Sequence, residues 1–168
     1  PSRDNNPVSS IEQTALYGAK GEGPDDPDFM AEFGKGAVLR EGKDVTSVGY
    51  SGSVHQALRA AEMLHDQEHL EAEVIDLRTL RPLDMETIIT SVKKTNRAVV
   101  VEEGWEVCGM GAQIVDYVQR DCFDYLDAPV LRVHQVDVPM PYAKNLERAA
   151  KPDAQKTIAA VRKVLYLE

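Results

Sequence analysis

Residues 45–77 read VTSVGYSGSVHQALRAAEMLHDQEHLEAEVIDL, and this stretch decides the fold. VTSVGY (45–50) is rich in β-branched residues and reads as a strand. From 54 to 65 the apolar positions Val54, Leu58, Ala61 and Leu64 recur at the three- and four-residue spacing of one helix face. AEVIDL (72–77) is a second strand. A strand, an amphipathic helix and another strand make a βαβ unit, whose strands run parallel and whose crossover is right-handed.

The alternation continues outward in both directions. Asp84 stands as N-cap of a helix running to 94, with Thr87 as its third helical residue and Met85, Ile88, Ile89 and Val92 apolar. AVVV (98–101) is an unbroken apolar run, as expected of a strand covered on both faces. Residues 111–120 are predicted helical, with Ile114, Val115 and Val118 facing inward. A strand follows over 130–133, then a closing helix over 152–167 with Pro152 near its start. On the N-terminal side AVLR (37–40) adds a short edge strand before EGKD (41–44) turns the chain back into Val45. Residues 18–36 carry Gly18, Gly21, Gly23, Pro24, Pro27, Gly34 and Gly36 among the acids Glu22, Asp25, Asp26 and Asp28, the composition of a loop or linker. The expectation is a three-layer α/β domain over 37–168, its mostly parallel sheet flanked by helices, preceded by an N-terminal segment and linker over 1–36.

Composition narrows the function classes. The 168 residues, 43% hydrophobic and 28% charged, suffice for one domain with a real core. The net charge of −9, with no Lys/Arg-rich run, argues against nucleic acid or an anionic membrane as partner and would suit a basic protein surface. Apolar runs reach only about six residues, far short of a membrane span. Cys108 and Cys122 form no CxxC and read as free thiols in a reducing compartment. The first residues show no signal-peptide pattern, and a start at Pro1 rather than Met reads as a processing boundary.

The segment VVVEEGWEVCGMGA (99–112) is the most suggestive for chemistry: an apolar strand enters a Gly-rich turn that opens a helix, the context in which backbone amides cradle a phosphate. The spacing fits neither a dinucleotide fingerprint nor a P-loop, and Glu102 and Glu103 would repel an anion. The plainer reading is that the glycines permit a tight turn. Glu102 and Glu103 are strand neighbours that point to opposite faces, so a shared-proton pair is not expected. Cys108 could be activated near a helix start, but Glu102, Glu103 and Glu106 favour an inert thiol. His65 and His69 lie four apart, a metal-binding spacing, in a charged stretch that reads better as a solvated helix end. His55 and His134 are isolated.

Several motifs in order then carry a resemblance: IDLRTLRPLDMETI (75–88), KTNR (94–97), EGW (103–105) with GMGA (109–112), FDYLDAP (123–129) and DVPMPYA (137–143). Together they resemble the C-terminal domain of the beta subunit of pyruvate dehydrogenases, a thiamine-dependent 2-oxo acid dehydrogenase family with a transketolase C-terminal domain-like fold. The resemblance runs from Arg3 to Leu167. It implies an enzyme of two alpha and two beta subunits, which decarboxylates pyruvate and reductively acetylates lipoyl groups in the mitochondrial matrix or bacterial cytoplasm. Thiamine diphosphate and magnesium are then bound elsewhere, between an alpha subunit and the beta N-terminal domain, and no catalytic or cofactor-binding residue falls in this chain. RDNNP (3–7) is similar to a potassium-binding segment, which implies Asp4 and Asn6 as ligands. Asp127, in LDAP, is similar to an acid that grips the basic subunit-binding domain of the dihydrolipoyl acyltransferase, assisted by the carboxylate of Glu168. Two departures stand out: Ser9 and Ser10 replace apolar strand residues, and the chain ends in Glu168 rather than an apolar residue. Alternatives are a branched-chain 2-oxo acid dehydrogenase beta subunit, a non-catalytic interaction module of the same fold, or a phosphate-binding domain using the Gly-rich turn.

Overall fold

Val99 and Val101 point to one face of a sheet and Ala98 and Val100 to the other, and all four are closed off from solvent. That alternation of two apolar faces is why the sequence shows a continuous run rather than a period of two. The computed structural model describes residues 5, 7, 13–18, 23, 25, 26, 28–30 and 32–167. The chain divides into two units, Pro1–Met30 and Ala31–Glu168. In the first, Thr14–Leu16 forms a single 3₁₀ turn, and the amides of Asp28 and Phe29 donate to the side chain and carbonyl of Asp26.

Among the described residues the second unit holds β1 (Ala37–Arg40), β2 (Val45–Gly49), α1 (Gly52–Glu68), β3 (Ala72–Asp76), α2 (Met85–Thr95), β4 (Ala98–Trp105), α3 (Met110–Cys122), β5 (Leu131–Gln135), α4 (Lys144–Ala150) and α5 (Ala154–Val164). The strand order is β1-β3-β2-β4-β5. The pairs β2–β3, β2–β4 and β4–β5 are parallel, and only β1 runs antiparallel. The sheet is therefore mostly parallel, as expected. The edge strand lies beside β3 rather than beside β2: the turn over 41–44 passes the start of β3, where the amides of Lys43 and Asp44 donate to Glu71 O, before β2 begins.

Two apolar clusters complete the three layers. Val54, Ala57, Ala61 and Leu64 of α1 join Ile158, Val161 and Val164 of α5 over Val45, Val74, Val99 and Val101. On the other face Ile88 and Val92 of α2 join Ile114, Val118 and Cys122 of α3 over Val48, Ile75, Ala98 and Val100. Full burial of each Val, Leu or Ile is worth about 1.5–3 kcal/mol, so these strips hold the helices to the sheet. Asp84 caps α2 as its position predicts: Oδ1 accepts from Thr87 N at 3.1 Å, and Oδ2 accepts from Thr87 Oγ1 at 2.8 Å and Gly36 N at 2.9 Å. The closing helix begins later than expected, at Ala154, where Asp153 accepts from Lys156 N at 2.8 Å.

Candidate functional site

The chain leaves β2 towards β3 on one side and then returns past β2 to β4 on the other. The crevice beyond the carboxyl ends of β2 and β4 is the place where open α/β sheets receive ligands. Here a buried charge fills it. Glu102, at the end of β4, is fully enclosed. Its Oε1 accepts from Arg132 Nη2 at 2.7 Å and Nε at 3.2 Å. Its Oε2 accepts from Gly111 N at 2.9 Å and from the Tyr50 hydroxyl at 3.1 Å. Arg132 also donates to the carbonyls of Glu106 at 2.9 Å and Trp105 at 3.2 Å, which pins the loop that follows β4. Burial, the Glu102 charge and the hydrogen bond to it push the Tyr50 hydroxyl up to about 12, so it remains a donor.

This arrangement explains the glycines. A Cβ on Gly111 would fall on the Glu102 carboxylate, and one on Gly109 would come within 2.7 Å of both Glu102 Oε1 and Arg132 Nη2. The Gly111 amide, which a phosphate would need, is used by an internal carboxylate. The described residues of this turn therefore do not fit a diphosphate. Glu103, the residue after Glu102, is half-buried.

A second polar network sits at the opposite ends of the strands. Glu73 on β3 is buried, and accepts from Ser91 Oγ, from Lys94 Nζ and, at 3.3 Å, from Gly42 N. Thr46 Oγ1 lies 2.6 Å from Ser91 Oγ and 2.7 Å from Thr95 Oγ1, and Lys94 reaches Glu41 at 3.0 Å. Burial opposes the charged form of Glu73, but the hydrogen bonds from Lys94, Ser91 and Gly42 outweigh it and hold its carboxyl below the usual range. These groups clamp α2 to β2, β3 and the turn after β1.

Asp127 lies in the loop before β5, where the ends of α2 and α5 meet the 3₁₀ turn Phe123–Tyr125. Its amide donates to Asn96 O at 2.9 Å, and its carbonyl accepts from the Tyr166 hydroxyl at 3.1 Å. Both contacts fix the backbone while leaving the carboxylate 55% exposed. Asp127 Oδ2 is 3.2 Å from Arg97 Nη2, and Arg97 Nε donates to Val164 O at 3.1 Å. A groove of about 420 Å³ adjoins it, lined by Gln119, Phe123, Leu126, Asp127, Ala128 and Pro129. Phe123, Tyr125 and Tyr166 expose aromatic surface around it. The expected sites Asp4, Asn6 and Glu168 lie outside the described residues.

The other candidates separate. His65 Nδ1 is 2.7 Å from Glu71 Oε1, and His69 caps α1 in a left-handed conformation. Among the described residues no group of three or more His, Cys, Asp or Glu could hold a metal. Cys108 is exposed and Cys122 buried, where burial raises its thiol. Sequence reasoning missed Arg97 and Arg132. Arg132 offered one signal, a charge between the apolar residues Leu131 and Val133 of a strand.

A family model described as "Transketolase, C-terminal domain" matches residues 34–157. The mitochondrial "Pyruvate dehydrogenase E1 component subunit beta" of Dictyostelium discoideum is 49% identical over 165 residues, 96% of this chain and 46% of that protein. The "Pyruvate dehydrogenase E1 component subunit beta" of Rickettsia felis is 49% identical over 98% of this chain and 50% of that protein. The chain thus spans about half the length of these curated relatives. Among solved structures, a "Split gene transketolase, inactive beta4 tetramer" matches with a TM-score of 0.71 and 34% identity, over 84% of this chain and 45% of that one. A 2-oxoglutarate:ferredoxin oxidoreductase from Magnetococcus marinus shares the fold at 9% identity, with a TM-score of 0.54 over 82% of this chain and 20% of that one.

Proposed function

The chain belongs to the transketolase C-terminal domain family, and from that premise we propose that it serves as the C-terminal domain of a pyruvate dehydrogenase beta subunit. One observation carries the reading: identity near one half with such subunits runs along almost the whole chain, not through one motif. Residues 37–168 are the domain and 1–36 the segment leading into it. In this role the chain contributes architecture and docking. Decarboxylation of pyruvate and reductive acetylation of lipoyl groups belong to the assembled enzyme, with its alpha subunits and a second beta subunit, in the mitochondrial matrix or bacterial cytoplasm. Thiamine diphosphate and magnesium would be held outside this chain, which accords with the closed crevice at Glu102. Potassium at Asp4 and Asn6 would be an addition from the N-terminal segment.

The docking surface is the Asp127 face. Its half-exposed carboxylate on a fixed backbone, beside an apolar groove and exposed aromatics, suits a basic side chain and its neighbours on the subunit-binding domain of the dihydrolipoyl acyltransferase. The carboxylate of Glu168 would assist. The test of the catalytic half of this reading is an assay of the purified 168-residue chain with pyruvate, thiamine diphosphate and magnesium. No carbon dioxide release is expected, and measurable turnover would place a reaction centre inside the chain and overturn the reading.

A further inference from the structure

We propose that Arg97 acts as a built-in competitor for the docking carboxylate and so sets how tightly a basic partner can hold Asp127. The inference rests on the docking role assigned to Asp127. Three features carry it. First, the Arg97 guanidinium already lies 3.2 Å from Asp127 Oδ2, so a partner's cation meets a carboxylate that already has an internal cation beside it. Second, Arg97 does not depend on Asp127 for its place. Its Nε donates to Val164 O at 3.1 Å, at the C-terminal end of α5, where the helix dipole favours a cation. Arg97 therefore stays when Asp127 turns to a partner. Third, the two side chains are unequally covered, 26% exposed for Arg97 against 55% for Asp127, so the partner reaches the acid without reaching the arginine.

Such a pair is exchangeable at low cost. Ion pairs with a solvent-exposed partner contribute little to stability, and Arg97 keeps its carbonyl when the pair opens. A partner offering a planar guanidinium, able to make two hydrogen bonds to one carboxylate, then has the advantage over a partner offering an ammonium. Arg97 thus raises the threshold that any basic partner must pass at the docking point.

The test is titration calorimetry of the 168-residue chain with the subunit-binding domain of a dihydrolipoyl acyltransferase as probe. Arg97→Gln should tighten binding roughly threefold, the scale of one solvent-exposed ion pair that no longer has to open before the partner engages Asp127. Arg97→Lys, which keeps the charge, should leave the affinity near that of the wild type. In an Asp127→Asn background Arg97→Gln should give no gain. Should Arg97→Gln melt below the assay temperature, Arg97→His compared at pH 5 and pH 8 makes the same comparison, tighter at pH 8 once corrected for the wild type. If Asp127→Asn weakens binding and Arg97→Gln fails to tighten it, the competitor role is wrong and docking stands. If Asp127→Asn leaves binding unchanged, the docking reading itself fails.

Discussion

Glu102 is a fully buried carboxylate held by Tyr50, Gly111 and Arg132. Arg132→Met would leave that charge buried without a cation, a loss of about 3–5 kcal/mol that a shift in the urea midpoint of unfolding would show. The double variant Glu102→Leu with Arg132→Met should lose less than Arg132→Met alone, because removing both charges avoids the uncompensated one. If the single variant unfolds at the wild-type midpoint, the ion pair does not hold the crevice shut. Gly111→Ala should also destabilise, since its methyl would displace the carboxylate from its amide. The burial of Glu102 was not legible in the sequence, because its partner lies thirty residues away on β5 and nothing local marks the pairing.

At the scale of elements, α2 shows how local signals and distant ones divide the work. Its start was readable from Asp84 and Thr87, an N-cap three residues ahead of the amide it accepts. Its attachment to the sheet runs through Glu73, Ser91, Thr95 and Thr46, polar residues that read as strand and helix surface until the fold brings them together. Burial works against the charged form of Asp84 too, yet the hydrogen bonds from Gly36 and Thr87 and the Lys35 charge outweigh it, so its carboxyl lies below the usual range. For both Asp84 and Glu73 the folded form holds the proton less tightly than the unfolded chain. Their contribution is therefore complete above the unfolded values of about 3.9 and 4.3, and fades as pH falls through the lower folded values. Asp84→Asn and Glu73→Gln should each reduce stability at pH 7 and make it less dependent on pH below about 4, by chemical denaturation across a pH series. An unchanged slope would show that these carboxyls do not report folding. The unpredicted helix α4 (Lys144–Ala150) follows a loop rich in proline and has no side-chain cap, so the sequence carried no start signal for it.

For the whole molecule, the layered α/β plan was legible because each strand and helix repeats its own period along the chain. The order of the strands was not, since β1 pairs with β3 through a turn that reads equally well as a hairpin into β2. Strand order matters for function, because it puts the ligand crevice where Glu102, Arg132 and Tyr50 close it. The face around Asp127, assembled from the ends of α2 and α5 and the loop before β5, is open to solvent. The central proposal is that a basic partner holds the domain by this face. The measurement that tests this most directly is a calorimetric titration of the chain with the acyltransferase subunit-binding domain at low and high salt. One-to-one binding that weakens as salt rises is the predicted result, and a folded chain that shows no binding at low salt would contradict it.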